Sequence, residues 1–297
     1  SRWLEFPSKT DDNFLPSNLG GSGLLPDRAW RERMLVRPVW AAALAARTFN
    51  LASAWDASQW LKGAGITAWM LIRQPDHARL AGEFARRWGN ERFPEPQPRD
   101  QAVLGVSFHD EGWVELDAVP QRNRETGAPR QFLELSAGEF LPIWERSIRR
   151  GYEHGPTAGW LVSWHFSELA KMRLATAGTP ATDRAALETF VEWQEKSREQ
   201  ALAHIMLHGR EQLMACGKLL QFCDLLSLYV CLGAAGPITL PQSFLLHTGE
   251  EQRIRLEPGN DGRGDIRLVP YPFDVPEMRL SVPARRLSRV WFESDRE

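Results

Sequence analysis

Between residues 53 and 236 the apolar positions recur at helical spacing. Ser53–Ala64 reads as a short first helix. Residues 75–88 read as an amphipathic helix opened by Pro75 and Asp76, with Leu80, Phe84 and Trp88 spaced four apart. Pro94, Pro96 and Pro98 close that unit with a stiff loop. An apolar stretch over 100–110 (Ala102, Val103, Leu104, Val106, Phe108) then runs into His109-Asp110. Residues 114–135 carry Pro, Gly, Asn and Thr and predict a long loop, of the kind that serves as a functional loop or lid. Helices are predicted again at 137–152, 156–174, 181–207 and 210–233, with Thr182-Asp183 as a start signal and Gly209 as a break.

Beyond Gly236 the pattern shortens and alternates. Segments 252–257, 265–270 and 278–282 read as strands, and Asn260-Asp261-Gly262 fits a hairpin turn. The first 33 residues differ from both regions. Their Ser17-Asn18-Leu19-Gly20-Gly21-Ser22-Gly23 has the composition of a flexible linker. The chain therefore divides into a flexible arm or exogenous leader (1–33), a helical domain (34–236) and a small β-rich extension packed on it (237–297). The fold class is mainly α.

Composition narrows the functional classes. Of 297 residues, 43% are hydrophobic and the formal net charge is −2, so a sizeable core is affordable and a general nucleic-acid surface is not indicated. The three cysteines, Cys216, Cys223 and Cys231, lie in one apolar helix without CxxC spacing, which predicts buried thiols rather than disulfides or a thiolate zinc site. No apolar run reaches the ~18 residues needed to span a bilayer. No signal-peptide pattern opens the chain. These readings place the protein in the cytoplasm, away from membranes. A homo-oligomer is compatible with them.

One acid changes this bland picture. Asp224 stands inside the apolar run Leu220-Gln221-Phe222-Cys223-Asp224-Leu225-Leu226. A buried carboxylate without a partner costs several kcal/mol or more, so Asp224 predicts a cation beside it: a metal, an arginine or a helix N-terminus. Three histidines in the helical body are candidates to meet it: His77, His109 (followed at once by Asp110) and His165. Imidazole and carboxylate together suit Mn, Zn, Fe, Co or Ni. A buried polar network that only specifies the core is the rival explanation.

The order His, adjacent His-Asp, His, Asp resembles that of the HD superfamily of metal-dependent phosphohydrolases. Three stretches resemble a bacterial family with an HD-like helical core and no settled activity. They are Gln74-x-Asp76-His77-Ala78-x-Leu80-Ala81-Gly82, His109-Asp110-x-Gly112-Trp113 and Leu161-Val162-Ser163-x-His165. Asp117, Pro120, Thr126-Gly127 and Pro129 fit its loop, and the likeness spans about residues 34–290. The resemblance implies an HD-like helical bundle with His77, His109, Asp110, His165 and Asp224 as the ligands of one or two divalent transition metals. Well-known two-metal members have a further histidine. Here it would be His154, His204 or His208, none with convincing spacing, so one metal is as good an expectation as two.

Around this set stand weaker candidates. Glu111 is a general acid or an outer base, and Glu168, three residues after His165, a further ligand. Gln74 and Gln221 are candidates to orient ligands or substrate. Lys171, Arg73 and Arg79 are the nearest cations for an anionic substrate. His204 and His208 share a helix face but lack the Glu of a zinc-protease motif, and His247 reads as surface. The leading expectation is a metal-dependent hydrolase of a small anionic phosphate ester. In it Asp110, Glu111 and His165 act in catalysis. Two alternatives are an HD-type di-iron oxygenase and a non-enzymatic helical protein that binds a small molecule.

Overall fold

The computed structural model describes residues 3–5, 35–40, 66–118, 121–205, 209–233, 236–259 and 265–294. In chain order the elements are β1 (Trp3–Glu5), β2 (Leu35–Trp40), β3 (Ile66–Ile72), α1 (Gln74–Arg86), α2 (Arg99–Phe108), the one-turn α3 (Val114–Asp117), α4 (Ala137–His154), α5 (Pro156–Ala175), α6 (Ala181–Ile205) and α7 (Arg210–Cys231). Five strands follow: β4 (Ile238–Leu245), β5 (Glu251–Pro258), β6 (Ile266–Val269), β7 (Met278–Arg279) and β8 (Arg285–Leu287). The body is mainly helical, with six helices of ten or more residues among the described ones.

The helix ends follow local chemistry. Pro75 opens α1, where its missing N–H costs nothing. Ser136 and Glu139 form a reciprocal capping box at the start of α4. Gly155, at φ 148°, separates α4 from α5, and Pro156 starts the next helix. α5 is buried on every side from Thr157 to Ser167, so its sequence shows little amphipathic bias. α7 is the second central helix. By length and composition it would pass for a membrane-crossing segment, yet it is mostly buried inside the fold. Its three cysteines are buried and form no disulfide, as expected of small apolar side chains.

α1, α2, α5 and α7 pack around one core of aromatic and aliphatic side chains, including Phe84, Trp88, Leu161, Phe222 and Tyr229. A second core, with Trp113, Trp144 and Phe166, lies between α4, α5 and α6. Two helix approaches leave no room for a side chain. A Cβ on Gly82 would sit 2.0 Å from Ser107 Oγ, and one on Gly112 would sit 2.2 Å from the Ile143 carbonyl oxygen. These glycines set the spacing of α1 to α2, and of the segment after α2 to α4.

The β structure extends further along the chain than the helical domain read at 34–236 allows for. β2 and β3 pair antiparallel inside that span, and β8 adds to β3 to make a three-stranded sheet. Ala68–Ile72 is a continuous apolar run, which periodicity alone does not distinguish from buried helix. The three predicted C-terminal strands appear as β5, β6 and β7 in a five-stranded sheet of order β4-β5-β6-β1-β7, to which β4 adds a strand that was not predicted. The sheet also takes in β1, from the segment read as a flexible arm. The helix predicted at 53–64, the Asn260-Asp261-Gly262 turn and the rest of the arm lie outside the described residues. The segment 114–135, expected as one long loop, contains α3, an Arg122–Pro129 bridge and a 3-10 turn at Phe132–Glu134. Asp117 at the end of α3 is buried and accepts the backbone N–H of Gln74, which ties this segment to the start of α1.

Candidate metal centre

Four helices bring the predicted ligands together. His77 lies in the first turn of α1, His109 and Asp110 follow the last residue of α2, and His165 and Asp224 lie in the middle of α5 and α7. All five are buried; the three histidines are 1% exposed and the two aspartates 6%. The His77 and His109 rings meet edge to face at 5.3 Å between centroids, and His109 meets His165 at 5.2 Å.

The turn carrying His109-Asp110 is fixed from outside by α4. Ser147 Oγ accepts the Gly112 N–H at 2.9 Å, Arg146 donates to the Gly112 carbonyl at 3.0 Å, and Arg150 to the Glu111 carbonyl at 2.8 Å. Ligands that precede such a braced turn are pre-positioned.

Within the cluster, His77 Nε2 is 2.8 Å from Asp110 Oδ2. His109 Nε2 lies 3.5 Å from Asp110 Oδ2 and 3.5 Å from Asp224 Oδ1. His165 Nε2 is 3.7 Å from Asp224 Oδ2. One donor atom each from His77, His109 and Asp224 falls within a 4.8 Å sphere of mutual distance. Metal bonds of about 2.0–2.2 Å place neighbouring donors roughly 2.8–3.6 Å apart. Charge-assisted N–H···O bonds measure about 2.7–2.9 Å. The His109 distances match the first range and exceed the second.

The proton positions follow from the hydrogen-bond inventory. His109 Nδ1 is 2.7 Å from the Val106 carbonyl, which can only accept, so Nδ1 carries the proton. In the neutral ring, Nε2 is then a lone pair. It is buried with no hydrogen-bond partner among the described residues, as is His165 Nδ1. An orphaned imidazole nitrogen between two carboxylates fits a divalent metal. The residues present therefore suit such an ion in donor type, number and spacing.

The titration behaviour reflects the same crowding. Burial pushes the His109 ring down, but the charges of Asp110 and Asp224 outweigh it and raise its pKa to about 9. Burial pushes the Asp224 carboxyl up, yet its contact with His109 and the charges of the three histidines hold it at about 2. His165 goes the other way. Burial dominates and lowers it to about 4, so this ring is neutral at pH 7.

The remaining candidates lie apart from the cluster. Glu111 Oε2 takes a 3.0 Å contact from His154 Nε2, and the His154 ring stacks on Phe108 at 4.2 Å. This half-buried pair flanks the ligand turn. Glu168 pairs with Lys171, which also pairs with Glu195, so both side chains serve the outer face of α5. Arg73 and Arg79 are held on Asp76. Gln74 is buried, and Gln221 is half-buried on α7. His247 is exposed, as its sequence suggests. His208 and the side chain of His204 lie outside the described residues. Sequence reading missed one neighbour: Ser227, whose Oγ is 2.7 Å from His77 Nδ1. Its place one turn beyond Asp224 was the available signal.

Comparison with curated proteins and with solved structures found no match. Residues 64–289 match the family described as "Protein of unknown function (DUF3891)", and all five clustered residues fall inside the matched span. The chain belongs to that family.

Proposed function

We propose that the protein is a metal-dependent hydrolase of the HD type acting on small phosphate esters, with His77, His109, Asp110 and Asp224 holding a divalent transition metal. One observation supports the reading: the Nδ1 proton of His109 is committed to the Val106 carbonyl, while its Nε2, which makes no hydrogen bond among the described residues, faces two buried carboxylates at ligand spacing. A metal bound there supplies Lewis acidity and lowers the pKa of a coordinated water toward neutrality. The protein's own groups do the rest. His165, neutral at pH 7, completes the ligand set or accepts a hydrogen bond from water or substrate. Glu111, paired with His154 beside the ligand turn, would act in its protonated carboxylic-acid form, giving that proton to the leaving-group oxygen and ending as the carboxylate. A cytoplasmic setting suits three buried cysteines without a disulfide.

The rival with an observation of its own is a non-enzymatic binding protein built on a buried polar network. The elevated His109 pKa lets an imidazolium balance the two aspartates without metal. The di-iron oxygenase needs a sixth ligand, and the described residues cluster five. Elemental analysis of purified protein separates the three. One or two equivalents of Mn, Zn, Co or Ni, lost in Asp110→Ala together with turnover of phosphate mono-, di- or triesters, is the expected result. Two equivalents of iron with O₂ consumption would favour the oxygenase. Absence of metal after reconstitution, or full activity in Asp110→Ala, would sink the hydrolase.

A further inference from the structure

Ser227 is fully buried on α7, one turn beyond Asp224, and reaches across to α1. Its hydroxyl has two neighbours at hydrogen-bond distance: the Asp224 carbonyl at 2.8 Å and His77 Nδ1 at 2.7 Å. A hydroxyl carries one proton, and a carbonyl oxygen can only accept. The proton therefore goes to the Asp224 carbonyl. Were it given to His77 instead, two oxygen lone pairs would face each other at 2.8 Å. The hydroxyl is left to accept from His77, which requires a proton on Nδ1. His77 Nε2, on the far side of the ring, lies 2.8 Å from Asp110 Oδ2, an acceptor, so without an ion it too needs a proton to give, and that is the proton a metal would replace.

We propose that Ser227 is a positioning residue that holds His77 with its proton on Nδ1, so that Nε2 is directed to the metal. The inference rests on the metal-centre reading and assigns the group that orients one of its ligands. The same logic operates at His109, where the Val106 carbonyl plays the corresponding part. The difference is that a backbone carbonyl is beyond mutation and Ser227 is not. Outer hydrogen bonds of this kind fix the ring's tautomer and orientation and raise its basicity. Ser227 also joins two ligand-bearing helices, since its hydroxyl spans from the backbone at Asp224 to the side chain of His77.

The test begins with the full-length wild-type protein, treated with chelator, and histidine side-chain ¹⁵N spectra. A proton on His77 Nδ1 is expected. A bare Nδ1 with the proton on Nε2 alone overturns the proposal. The second arm measures Zn²⁺ affinity by chelator competition in wild type and Ser227→Ala. Affinity should fall about ten- to a hundredfold, with the unfolding midpoint in chelator within a few degrees of wild type. Affinity within twofold of wild type would overturn the role. Should the wild-type protein take up no Zn²⁺, the metal reading fails, and the His77 proton still decides the Ser227 assignment.

Discussion

Asp76 and Asp224 are buried to a similar degree, 5% and 6% exposed, and are met in opposite ways. Asp76 accepts from Nε and Nη2 of Arg73 at 2.7 and 3.0 Å and from Nη1 of Arg79 at 2.8 Å, all from its own end of α1. Those are ordinary charge-assisted hydrogen bonds, and both arginines keep about half of their side chains in solvent. Asp224 is approached by His109 Nε2 at 3.5 Å and His165 Nε2 at 3.7 Å, with the Nδ1 edge of His77, already bonded to Ser227, at 3.8 Å. None of these is a hydrogen bond of normal length. A carboxylate closed by arginines needs nothing more, whereas one ringed by imidazoles at ligand spacing leaves room for a cation. Burial alone would not tell the two apart. The identity, distance and origin of the partners do.

The largest expected effect breaks the symmetry outright. Asp224→Asn should lose stoichiometric metal and hydrolytic turnover, while Asp76→Asn should keep both. Elemental analysis with the ester assay reads the pair, and the reverse pattern would mean that the chemistry has been assigned to the wrong aspartate. Next comes stability linkage. Metal at a hundredfold excess over its Kd should add about 2.7 kcal/mol to wild type and to Asp76→Asn. Asp224→Asn should gain nothing. Thermal melts with metal and with chelator check this. Third, Asp76→Ala should cost about 2 kcal/mol of stability in urea, from the lost charged hydrogen bonds at the helix start. The two arginines can return to water, which limits the damage.

The smallest effect concerns a more exposed relative of the Asp76 clamp. Arg130 holds Glu139 in a two-pronged pair, and that contact is the main reason the Glu139 carboxyl sits at about 2 rather than 4.5. A depressed carboxyl stabilises the fold above its unfolded pKa. This contribution should be complete above about pH 4.5 and fade as pH falls toward 2. Since Glu139 is about a third exposed, solvent screening keeps it under about 1 kcal/mol. Arg130→Met should flatten that part of the acid-unfolding curve. An unchanged curve would show that the pair contributes nothing measurable.

Much of the helical body is legible from punctuation. Thr182-Asp183 and Gly209 mark helix starts that the structure places within a residue or two, and the helices predicted from 137 and 156 begin where expected. The helix at 74–86 follows from Pro75 and the spacing of Leu80 and Phe84. β3 was hidden because Ala68, Trp69, Leu71 and Ile72 are buried on both faces, which erases the alternation of a half-exposed strand. β8 and β1 were hidden because their pairing is with distant segments. At the candidate centre, residue types were readable but protonation was not. Asp224 announced itself as an acid in an apolar helix. Which nitrogen of His77 or His109 is left for a metal depends on Ser227 and the Val106 carbonyl, and their placement comes from helix packing. Glu168 and Lys171 looked close to His165 in sequence. They turn outward because the inner face of α5 is already filled.

The contact between His77 and Ser227 joins positions 150 residues apart. Between them lie α2 to α6, and the cluster is complete only when α7 has docked against α1. No contiguous fragment short of that span can assemble it. Metal uptake would then report finished folding: a chain that has formed its helices but not its topology would bind weakly or not at all, and the rate of acquiring tight binding would follow the slowest long-range step.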